Sequence, residues 1–173
     1  VTSNTKIKEN SHAFIDSQNL NLGVQSLGWK LAFRKFRIYL EEKYNVSTAY
    51  LFLGYIQKNQ DLYSSLQKDG HVLIFKPTLS HKDGTHKGNV DADLVLQAMI
   101  DFNQNKYNKA VIVTSDGDFY CLVKYLYDNK RLKVVISPYL KTCSVLLKQS
   151  AKEKLVFMDN LRNKLEYKRK STA

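Results

Sequence analysis

Residues 109–118 read KAVIVTSDGD. Five apolar or small residues in a row, Ala110 to Thr114 with the β-branched Val111, Ile112 and Val113 at the centre, predict a strand covered on both faces. The run stops at an acidic turn, Ser115-Asp116-Gly117-Asp118. The next stretch, 118–129, has helical period. A buried strand, an acidic exit and then a helix is the repeating unit of a parallel α/β sheet.

The same unit recurs on both sides. HAFID at 12–16 is an apolar strand ending in Asp16, with Ser17-Gln18-Asn19 beyond it. Residues 28–44 carry Trp29, Leu31, Phe33, Phe36 and Leu40 opposite Arg34, Lys35, Arg37, Glu41 and Glu42, which predicts an amphipathic helix. Further strands are expected at 47–55, 72–75, 132–136 and 155–158, and helices at 60–69, 90–103 and 141–150. Residues 79–89 are polar with two glycines and read as the longest loop. The expected architecture is a three-layer α/β sandwich around a mainly parallel sheet of five or six strands. A polar segment (1–10) would precede the domain (11–160), and a basic tail (161–173) would fray after it.

The chain has 173 residues, 43% hydrophobic, enough for one core. It carries 27 Lys and Arg against 16 Asp and Glu, a net charge of +11, which suits a polyanionic partner. No apolar run reaches bilayer-spanning length, so no membrane association is expected. Cys121 and Cys143 have no zinc-ligand spacing and read as reduced thiols, consistent with a cytoplasmic protein. A homodimer is compatible with this composition.

Ligands of open α/β sheets bind beyond the carboxyl ends of the strands. Asp16 and the pair Asp116 and Asp118 stand at such ends, and Asp91 opens the helix after the long loop. Carboxylates gathered there repel unless a cation compensates, and hard oxygen donors suit Mg²⁺ or Mn²⁺. Each aspartate taken alone is equally a helix cap. Asp93 lies inside the helix and reads as a solvated residue. Asn19 and Ser115 are candidate substrate contacts, and Lys87 is a candidate phosphate contact. His81 and His86 flank the same loop without a spacing that assigns them a role. Ser17 and Ser115 have no partner histidine in their sequence context, so serine nucleophile chemistry is not supported.

Three segments in order, FIDSQNL (14–20), KGNVDADLVLQAM (87–99) and VTSDGDFYCLVKYL (113–126), resemble the NYN domain family of the PIN-like nuclease group. The resemblance runs over roughly 13–157. It implies a parallel sheet, an acidic metal pocket with Asp16, Asp91, Asp116 and Asp118 as ligands, Lys87 and Asn19 in the matching positions, and cleavage of RNA, single-stranded RNA being the expected substrate. One position departs: where relatives commonly carry an acid in the second motif, this chain has Gln97. The leading expectation is a metal-dependent endoribonuclease. The alternatives are an RNA-binding module with little or no catalysis, motivated by Gln97, and a small-molecule phosphohydrolase.

Overall fold

The computed structural model describes residues 9–76, 79–80, 86–87 and 90–169, with side chains at 79–80, 86–87 and 90 left aside. Six strands form one parallel sheet: β1 (Ser11–Asp16), β2 (Val46–Gly54), β3 (His71–Lys76), β6 (Lys109–Val113), β7 (Leu132–Ser137) and β8 (Leu155–Phe157). Their order across the sheet is β3-β2-β1-β6-β7-β8. The chain builds outward from β1 to β3, then crosses back to build β6 to β8 on the other side. The reversal places a topological switch point between β1 and β6, where the carboxyl ends leave a crevice.

Alternation along the strands divides the core. Ala13 and Ile15 of β1, Ala49 and Leu51 of β2, and Val111 and Val113 of β6 face α1 (Ser17–Ser26) and α2 (Phe33–Tyr44), whose Leu20, Val24, Phe36 and Leu40 are buried. Phe14, Phe52, Ala110 and Ile112 face the opposite layer. That layer comprises α4 (Val90–Asn103), α5 (Tyr120–Asp128) and α6 (Val145–Ala151), through Leu94, Ala98, Val123, Leu126 and Leu147. Both faces of the central strands are therefore covered, which is why β6 is continuously apolar. Two thiols remain free, Cys121 exposed and Cys143 buried. Among the described residues, no helix is long and apolar enough to cross a membrane.

Four expectations change in detail. The helix foreseen over 28–44 begins only at Phe33, because Gly28 takes φ +78° and Leu31 runs extended to bridge Glu166. A separate helix, α1, fills 17–26. The polar stretch 79–89 contains a small antiparallel ladder, β4 (Leu79–Ser80) with β5 (His86–Lys87). Residues 162–167 do not fray. α7 (Arg162–Leu165) docks on the α1–α2 connection: Ala32 N–H donates to Leu165 O at 2.8 Å and Tyr167 N–H to Lys30 O at 2.7 Å. The cause is apolar: Leu161 and Leu165, four apart, join the α2-side core, and Leu165 is fully buried. α3 (Gln60–Lys68), by contrast, lies where its pattern puts it, between β2 and β3.

Candidate functional site

The site grows from two strand exits. At the end of β1, Asp16 is the N-cap of α1, its Oδ1 accepting from Asn19 N–H at 3.1 Å. At the end of β6, Thr114 is fully buried and donates its hydroxyl to Asp16 Oδ2 at 3.2 Å. The same Thr114 oxygen accepts from Asp116 N–H at 3.1 Å. Thr114 thus ties the β1 acid to the turn that carries the β6 acids. Asn19 makes a second tie across the switch point: its Oδ1 accepts from Ser115 N–H at 2.8 Å.

The turn itself is tightly held. Asp116 caps the short 117–119 turn by accepting from Asp118 N–H at 2.9 Å. Ser144 N–H, at the start of α6, donates to Ser115 O at 3.0 Å. A Cβ on Gly117 would collide with Ser144 Oγ, so the turn can press against α6 only with glycine there. Asp116 and Asp118 are consequently presented on a rigid backbone.

α4 brings the third acid. Ligand oxygens of Asp91, Asp116 and Asp118 lie within 4.8 Å of one another. Asp91 and Asp116 are half-buried and Asp118 is exposed. Burial, and then the charges of Asp116 and Asp118, push the Asp91 carboxyl above its ordinary value, with Lys76 at the end of β3 opposing them. Asp16 is raised too, chiefly by burial and further by Asp91 and Asp116, against the hydrogen bonds from Asn19 and Thr114. Asp16 and Asp91 thus each feel like charges in addition to burial, a repulsion that a cation placed among the carboxylates would offset. Hard carboxylate donors open to solvent on one side fit Mg²⁺ or Mn²⁺.

Of the four acids foreseen, three converge closely. Asp16 sits beside them, near enough to be felt electrostatically, with two lone pairs already given to Asn19 and Thr114. Asn19 and Ser115 act as struts: the Ser115 hydroxyl is buried and accepts from Ser137 Oγ at 3.2 Å. Lys87 and His86 lie in β5, their side chains outside the described residues, as is His81 altogether. Asp93 is not in the acid group. Gln97 turns away, donating its Nε2–H to Asp101 Oδ1 at 2.9 Å. Thr114 and Lys76 were not singled out in the sequence. A threonine closing an apolar strand just before an acidic turn is the one available signal for Thr114, and nothing local points to Lys76.

The fold resembles that of a protein of unknown function from Vibrio parahaemolyticus, whose crystal structure aligns with TM-score 0.75 at 21% identity, covering 93% of this chain and 98% of that one. No curated protein matches the chain. The sequence model of the NYN domain matches residues 12–158, a span holding all three converging aspartates, Asp16 and both exits of the switch point. The chain belongs to the NYN domain family, and its sheet is the PIN-like nuclease fold of that family.

Proposed function

We propose that the protein is a metal-dependent endoribonuclease that cuts single-stranded RNA at the aspartate cluster. The observation that carries this reading is the approach of Asp91, Asp116 and Asp118 to within 4.8 Å at the switch point of an NYN-domain sheet. A bound divalent ion supplies Lewis acidity and neutralises charge on the phosphate. The remaining work falls to the chain. Asp91, Asp116 and Asp118 hold the ion, and Asp16, clasped by Asn19 and Thr114, adds negative potential behind them. Thr114, Asn19 and Gly117 fix the acids so that little reorganisation is needed during the reaction. Lys87 is assigned to the scissile phosphate and Asn19 to the border of the substrate, while the buried Ser115 supports the turn from behind. The +11 surplus attracts the RNA backbone, so binding weakens with salt.

The test is cleavage of labelled single-stranded RNA in Mn²⁺ or Mg²⁺. EDTA abolishes it, and Asp116→Asn lowers it by roughly 100-fold or more. Cleavage that persists through both treatments excludes this mechanism. A second reading, an RNA-binding module without catalysis, rests on Gln97: the family's common acid is absent and the amide that replaces it serves Asp101. It predicts salt-sensitive RNA retention with no cleavage by the wild-type chain in either metal.

A further inference from the structure

The positive charge is not spread evenly. Residues 120–154 hold eight Lys and Arg against two acids, a net +6, whereas 44–103 hold five against six, a net −1. The basic half is the β7–β8 side of the switch point, and its helices α5 and α6 leave a groove of about 340 Å³ between them. Tyr120, Lys124, Tyr127, Leu146, Gln149 and Lys152 line it. One of its lining residues, Tyr120, directly follows the 117–119 turn that carries Asp118. Tyr127 stands seven residues further along, about 10 Å at the rise of an α-helix.

Two details show a surface shaped for something. Tyr120 leaves 39% of its surface in solvent, and Leu146, which lines the same groove, leaves 50%. Lys152, where α6 ends, takes φ +51° and ψ −126°, a backbone conformation that suits glycine and strains lysine. The strained backbone places the Lys152 ammonium 4.6 Å from the centroid of the Tyr127 ring. Tyr127 is itself anchored, its hydroxyl donating to Glu153 at 3.1 Å. Lys124 pairs with Asp128 at 2.6 Å in an exposed bridge that a phosphate can replace at little cost.

From this geometry we infer that the α5–α6 groove is the track along which single-stranded RNA reaches the aspartates, with one base stacked on Tyr120 and the backbone phosphates met by Lys124 and Lys152. The inference rests on the ribonuclease reading and assigns its substrate path. Aromatic faces interleaved with cations are what a sequence-tolerant single-strand binder requires, and duplex RNA offers no unstacked base to Tyr120.

The test measures binding of a fluorescent oligouridylate to the full chain by anisotropy, with hydrolysis of bis(p-nitrophenyl) phosphate, a diester too small to span the groove, followed in parallel. Tyr120→Ala weakens RNA binding by roughly tenfold, and Tyr120→Phe, which keeps the ring, restores it. Lys152→Gly weakens binding a few-fold and lowers the salt slope by about 0.7. The same Lys152→Gly change relieves the backbone and raises Tm by roughly 3 °C, so the loss of binding is not a loss of folding. Hydrolysis of the small diester stays at the wild-type rate in all three. If Tyr120→Ala and Lys152→Gly bind RNA as the wild type does, the track is wrong while the ribonuclease reading stands. If the wild-type chain neither retains nor cuts RNA, that reading fails and the track falls with it.

Discussion

Two aspartates on one helix show how differently the two ends of the sheet treat a carboxylate. Asp91 and Asp101 both belong to α4, ten residues and therefore about 15 Å apart. Asp101, at the amino end of the sheet, is fully buried. Its Oδ2 accepts from Tyr50 OH at 2.9 Å and contacts His12 Nδ1 at 3.0 Å. Its Oδ1 accepts from Gln97 at 2.9 Å and faces Lys106 at 3.4 Å. All four of its acceptor positions are used. Burial alone would raise this carboxyl, but the hydrogen bonds from Tyr50, His12 and Gln97 overcome it and hold the group below its ordinary 3.8. Asp91, at the carboxyl end, is half-buried and raised, first by burial and then by the charges of Asp116 and Asp118. One acid is surrounded by donors at the amino end of the sheet, and the other stands close to two like charges at the carboxyl end.

The sharpest way to break this contrast is Asp101→Ala. It strands His12, Tyr50 and Gln97, and should cost about 3 kcal/mol, lowering Tm by roughly 6–12 °C for a chain of this size. Metal should act almost as strongly in the other direction. Mn²⁺ at about 100 times its dissociation constant adds about 2.7 kcal/mol in the wild type. Asp116→Asn should lose most of that increment, while Asp101→Ala, measured where it is still folded, keeps it. Calorimetry with and without Mn²⁺ checks both, and an equal metal response in all three chains would remove the distinction between the two ends.

Gln97→Asp is a smaller and more pointed change. It restores the acid common in the family, but sets a second carboxylate against Asp101, and should cost about 1 kcal/mol without tightening Mn²⁺. A tighter metal site in that variant would show that the residue at 97 can turn toward Asp91 after all. The least effect is expected from Asp91→Asn without metal, a gain of roughly 0.5 kcal/mol from relieved repulsion.

Acid titration reads the same contrast by sign. Asp101 titrates below 3.8 when folded and at its ordinary value when unfolded, so across that interval the unfolded chain binds more protons and stability rises with pH. Its contribution is complete above the unfolded value and is lost as pH falls through the folded one. Asp16 and Asp91 are raised, so in the metal-free chain the folded state binds more protons, and stability falls as pH climbs from 3.8 through their folded values. Asp101→Asn should flatten the acid limb, and Asp91→Asn the limb above it, in denaturant melts from pH 3 upward.

Much of this was legible before folding. The run from Ala110 to Val113 had to be a covered strand because nothing in it can face water, and the acids after it and after Ile15 had to lie at strand exits because the polarity changes there. The order of the motifs carried the family. The span of α4 followed from its apolar rows at 94, 98 and 95, 99, 102. Less legible were the contacts between segments far apart in the chain. The helical period of 161–165 was hidden in a basic stretch, and only the α1–α2 connection gave Leu165 a core to enter.

By itself, then, the sequence determined a parallel α/β sheet with aspartates at one edge and an excess of positive charge, because periodicity and composition are local properties. Only the tertiary structure decided how those aspartates are arranged. Parallel pairing of β1 with β6 brings Thr114 against Asp16 from 98 residues away, which makes that acid a clasped neighbour of the cluster. The pitch of α4 sends Asp91 toward the turn and Gln97 toward Asp101. Hydrogen-bond satisfaction depends on which groups meet across the sheet, and no spacing along the chain records that.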